Sequence, residues 1–90
     1  MKIPDYFDKI LWSYDSSRLD PDEDRNLIII NAINYGDLKH WRWISSYYGK
    51  DAVKDVLSTV PADQLRKRVR SLASIVFNVE RFNDAPRSLN

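Results

Sequence analysis

The segment Asp20-Pro21-Asp22-Glu23-Asp24 does most to limit what this chain can become. Asp20 offers a side-chain oxygen to free backbone amides, and Pro21 suits the first helical position. Three carboxylates follow where the positive end of a helix dipole favours them. The helix opened in this way is expected to run to Tyr35 and to stop at Gly36, read as a left-handed C-cap. Between the two lies Leu27-Ile28-Ile29-Ile30, whose β-branching would also suit a buried strand. A length of about 15 residues and punctuation at both ends decide for helix. Apolar residues spread almost all round it, interrupted by Asn26, Asn31 and Asn34. That is the pattern of a central helix touched on several sides.

The rest of the chain reads as helices too. Pro4 suits the start of a short helix over 5–12, followed by a loop over 13–19. Asp37 can cap a helix over 38–48, in which Leu38, Trp41, Ile44 and Tyr48 share one face. Trp43 and Tyr47 widen that face, and Gly49 closes the helix. A fourth helix over 51–57 spaces Val53, Val56 and Leu57 for burial. Pro61 opens a last helix over 62–77, with Leu65, Val69, Leu72 and Val76 as its apolar stripe and Arg66, Lys67 and Arg70 outside with Asp63. Residues 80–90 are polar, contain Pro86 and have no period, so a flexible tail is expected there. The expectation is an all-α compact bundle of four to five short helices. Residues 1–79 form its single domain, and helices 21–35 and 38–48 supply most of its core.

Ninety residues provide for one core and not two. Hydrophobic residues make up 43% of the chain, with three Trp, five Tyr and three Phe, which excludes intrinsic disorder. No cysteine is present, so neither disulfides nor thiolate metal ligands can form, and a reducing, cytoplasmic setting is expected. No apolar run approaches the ~20 residues of a membrane span, and the first residues do not resemble a signal peptide. Charge is divided unevenly. Residues 1–24 hold three basic and seven acidic side chains, and residues 25–90 hold eleven and six. The two halves can attract each other within one fold, or one can face a charged partner.

Chemical motifs are absent. His40 is the only histidine and has no carboxylate one helical turn away. Asp20-x-Asp22-x-Asp24 begins like a calcium loop, but Arg25 stands where glycine is needed and Asn31 where the closing glutamate belongs. A serine nucleophile would have to rely on His40 as its base, a combination found by chance in most proteins. The two glycines are placed as helix ends, not as a phosphate cradle. Neither an enzyme, nor a metal, nor a cofactor is expected.

Two binding functions remain. Arg66, Lys67 and Arg70 on the last helix could contact nucleic acid in a small DNA-binding regulator, although charges outside an amphipathic helix also serve solubility. The short helices flanking Gly49 would present Asp51, Lys54 and Asp55 to DNA, a poor recognition surface. The aromatic residues argue instead for a protein partner. Trp41 and Tyr48 are assigned to the core, while Trp43 and Tyr47, at the edge of the apolar arc, are the candidate anchors. Self-association is left open.

The order of residues adds a resemblance. Leu11-Trp12-Ser13-Tyr14-Asp15, Leu19-Asp20, Tyr35-Gly36-Asp37-Leu38 with Trp41, and Tyr48-Gly49-Lys50 through Val56-Leu57 span about residues 7–57. This pattern resembles a family of small, largely uncharacterised prokaryotic proteins often encoded beside nucleotidyltransferase-type toxins. The resemblance implies an antitoxin-like module that masks a toxin or enzyme. After Pro61 the chain departs from the pattern, with Ser71-Leu72-Ala73-Ser74 where an aromatic pair is expected.

Overall fold

The computed structural model describes residues 3–11, 18–80 and 82. A 3-10 helix, Asp5–Lys9, is followed by α1 (Arg25–Tyr35), α2 (Leu38–Tyr48) and α3 (Lys50–Thr59). A second 3-10 turn, Ala62–Gln64, leads into α4 (Lys67–Val76). The described residues contain no β-strand, and the fold is the expected all-α small bundle. The loop expected over 13–19 falls mostly outside the described residues, as does the tail beyond Glu80 except for Phe82, which packs against the core.

Asp20 caps the amides expected of it, but regular helix starts one turn later than expected. Asp20 Oδ1 accepts from the Asp22 and Glu23 amides at 2.7 and 3.0 Å, and Asp24 Oδ2 accepts from the Asp20 amide at 2.9 Å. These bonds close a capped turn over 21–24, so regular helix begins at Arg25 rather than at Pro21. The amides of Glu23 and then Asp22 hold the Asp20 carboxyl below its ordinary pKa.

α1 is central, as its all-round apolarity predicts. It packs against α2, α3 and α4, with Ile28, Ile29, Ala32 and Ile33 buried. Contrary to expectation, α1 and α2 together do not supply most of the core, and the larger shortfall is in α2. That helix buries only Trp41, Ile44 and His40, while Ile3, Phe7, Ile10 and Leu11 enter from the N-terminal segment and Val53, Val56 and Leu57 from α3.

Gly36 is not a left-handed cap. Its φ of −87° and ψ of 171° are extended backbone open to any residue. The position requires glycine for space: a Cβ there would lie 2.5 Å from the Ala32 carbonyl oxygen and 2.7 Å from the His40 Cβ. Gly49 does occupy the left-handed region, at φ 91°, between α2 and α3. Asn78 also has positive φ, 56°, and ends α4. The Val79 amide donates back to the Ser74 carbonyl at 3.0 Å, the six-to-one bond of a Schellman end.

The helix expected over 62–77 is broken. Leu65 and Arg66 are extended, and Asn34 is the cause: its amide nitrogen donates to the Gln64 carbonyl at 2.8 Å and its oxygen accepts from the Arg66 amide at 2.9 Å. A buried side chain on α1 thus supplies the bonds that a continuous helix would have made within itself. The break rotates α4. Ala73 and, just past the helix, Phe77 face the core, and Leu72 and Val76, expected inside, do not.

Candidate functional site

α2 carries the aromatic pair expected to anchor a partner, and both side chains are half-buried. The Trp43 and Tyr47 rings stack at 4.9 Å with 5° between their planes, and Trp43 meets Phe7 edge-on at 5.1 Å. The Tyr47 hydroxyl donates to Asp22 Oδ1 at 3.2 Å, and the Tyr48 hydroxyl donates to the Pro21 carbonyl at 2.6 Å. Partial burial, then the bond to Asp22, raises the Tyr47 pKa. Burial, then the neighbouring Tyr47, raises that of Tyr48 more strongly. The rings therefore tie α2 to the acidic turn and to the N-terminal helix. Trp43 keeps one outward edge, which lines a shallow recess of about 290 Å³ with Tyr6, Lys39, Arg42 and Ser46.

The three cations expected to meet nucleic acid lie together at the start of α4, but two also serve the fold. Arg66 Nη1 donates to the Asn34 carbonyl at 3.4 Å, and its guanidinium lies 5.5 Å from the Tyr35 ring centre. Arg70 Nε donates to the Leu65 carbonyl at 3.2 Å. Lys67 is exposed in the first turn of the helix.

Half of the expected core stripe proves to be surface: Leu65 is buried and Val69 packs against the core, whereas Leu72 and Val76 face solvent, as does Ile75. Leu72 is 50% exposed, Ile75 77% and Val76 37%, and Leu38 at the start of α2 is 67% exposed. Val76 and Leu38 line one recess of about 230 Å³ together with Trp41, Arg42, Ser45 and Lys50. Sequence periodicity could not show this, because residues 69, 72, 73, 76 and 77 all fit an apolar arc and only the break at Leu65 sets which part turns inward.

His40 is buried and structural. The Asp37 amide can only donate, so His40 Nδ1, 2.8 Å away, accepts; Nε2 then carries the proton and donates to the Tyr6 carbonyl at 3.0 Å. Its ring also meets Tyr6 and Phe7 edge-on at 5.2 and 4.9 Å. Among the described residues no three metal-ligating side chains gather, and no helix is long and apolar enough to cross a membrane.

No curated protein and no solved structure matches the chain. Residues 7–57, from the N-terminal 3-10 helix through most of α3, match a family of unknown function, and the match ends before α4 begins. Because that segment is more than half of the chain, the protein belongs to the family of unknown function DUF6922.

Proposed function

We propose that the protein is a binding module for another protein and uses the surface shared by α2 and α4. One observation carries this reading: a helix of ten residues buries Ala73 and turns Leu72, Ile75 and Val76 toward solvent. Placing three large aliphatic side chains in water forgoes about 25 cal/mol per Å² of apolar area, which a partner recovers. The outward edge of Trp43 extends the same surface along α2 through Arg42, which lines both recesses. The antitoxin-like resemblance supplies a specific form of the reading, in which the module masks a nucleotidyltransferase-type toxin.

The test is affinity capture from native lysate, with and without nuclease, by the wild-type chain and by a Leu72→Ser/Ile75→Ser variant. A stoichiometric protein retained after nuclease and lost with the variant supports the reading. Partners that vanish with nuclease favour the second reading, a DNA-binding regulator using Arg66, Lys67 and Arg70. That alternative draws support from the exposed cations in the first turn of α4. It predicts a slope steeper than about −2 in log K against log salt.

A further inference from the structure

α4 opens with Lys67, Arg68 and Arg70 in its first turn and no acidic residue. Cations at that end oppose the helix dipole; Arg70 is bonded back to the Leu65 carbonyl, whereas Lys67 and Arg68 are exposed. No Asp or Glu occurs between Gln64 and Val79, nor between Leu38 and Lys50. These two runs supply every residue that lines the recess between α2 and α4. At about 230 Å³ it is smaller than the ~300–1,000 Å³ of small-molecule sites and suits one bulky side chain. Helical spacing continues the apolar surface from Val76 to Leu72, one turn back, and then to Arg68. The outcome is an apolar strip sunk at one end into a recess, with Arg42 and Lys50 beside that end and Arg68 at the other.

We propose that this strip docks an acidic amphipathic helix of a partner protein. A large apolar side chain of that helix fills the recess, and its carboxylates face Arg42, Lys50 and Arg68. The inference rests on the protein-binding reading and adds to it the place and the charge of the ligand. Apolar residues at i, i+3, i+4 and i+7 of a helix match a strip of this shape. Carboxylates at its edges find complementary charge, while a basic helix is repelled. Nucleic acid would meet Leu72, Ile75 and Val76 between the cations, groups that offer phosphate oxygens no hydrogen bond. A second copy would bring its own cations to a two-fold interface, like charge against like.

The probe is a fluorescein-labelled peptide designed as a helix with Leu on one face and Glu on the other. Its controls are the same peptide with Lys in place of Glu and a labelled DNA duplex. Each is titrated with the full chain by anisotropy. The Glu peptide is expected to bind at least about tenfold more tightly than the Lys peptide. It should weaken about tenfold with Arg42→Gln/Lys50→Gln and again with Leu72→Ser/Ile75→Ser. All four side chains are exposed, so the variants are expected to fold, and circular dichroism melts check this. Absence of binding, equal affinity for the two peptides, or indifference to either variant overturns the proposal. So does a duplex bound as tightly as the Glu peptide, or self-association abolished by Leu72→Ser/Ile75→Ser. If the peptide result fails while the lysate partner is still lost with that variant, the protein-binding reading survives and only the acidic helix is refuted.

Discussion

Replacing Gly36 by alanine tests the junction on which the α1–α2 packing depends. The new methyl carbon would sit 2.5 Å from the Ala32 oxygen, about 0.5 Å inside the closest approach that Cβ atoms show, and 2.7 Å from the His40 Cβ. Neither neighbour yields easily, since one is backbone and the other the root of a ring bonded at both nitrogens. The Ala32 oxygen also accepts the Gly36 amide and Trp41 Nε1–H, each at 3.0 Å. Overpacking of this kind costs about 1–3 kcal/mol, and weakening two hydrogen bonds adds roughly 1 kcal/mol. The expected loss is thus about 2–4 kcal/mol, a large part of the roughly 5–15 kcal/mol that holds a small domain folded. Urea unfolding followed by tryptophan fluorescence and far-ultraviolet circular dichroism measures it. The matching control is Gly49→Ala. There a Cβ meets nothing within 4 Å, and only the backbone angles, φ 91° and ψ 148°, oppose it, at about 1–3 kcal/mol. A loss at Gly36 below about 0.5 kcal/mol would refute the close-approach explanation.

Three further outcomes follow from the same contacts. Asn34→Ala leaves the Gln64 carbonyl and the Arg66 amide without their partners, at about 2–4 kcal/mol. Hydrogen exchange should show the Arg66 amide losing protection before the amides of α1, and unchanged exchange there would refute the clamp. Because the phenol pKa of Tyr48 is raised in the fold, the unfolded chain releases that proton first. The resulting stability is complete below about pH 10, the ordinary tyrosine value, and is lost as pH rises toward the folded value. Alkaline melts should therefore fall less steeply for Tyr48→Phe than for wild type, and parallel curves would contradict the assignment. Trp43→Ala removes the contacts with Phe7 and Tyr47 and should lower stability by about 1–3 kcal/mol while leaving the chain folded. An unfolded variant would make Trp43 a core residue and remove it from the binding surface.

The sequence alone determined the helical class, the span of α2, the central place of α1 and the turn at Gly49. Each rests on interactions within a few residues: an aspartate bonding amides two and three positions ahead, a proline that suits a first turn, apolar residues repeating with the helical period. Asp20, Gly49 and the Leu27–Ile33 run carry these signals in their own neighbourhood. The tertiary structure decided what depends on residues distant in the chain. Asn34 reaches 30 and 32 positions forward to hold Gln64 and Arg66, and so breaks the last helix and turns Leu72 and Val76 outward. Gly36 is explained by the closeness of Ala32 and His40 across a helix junction, not by its own dihedral angles. The recess beside Leu38 exists only because α4 folds back to bring Val76 against α2. Local propensity fixes which segments can be helices, whereas hydrogen bonds and packing across the chain fix where each helix stops and which face it leaves to solvent.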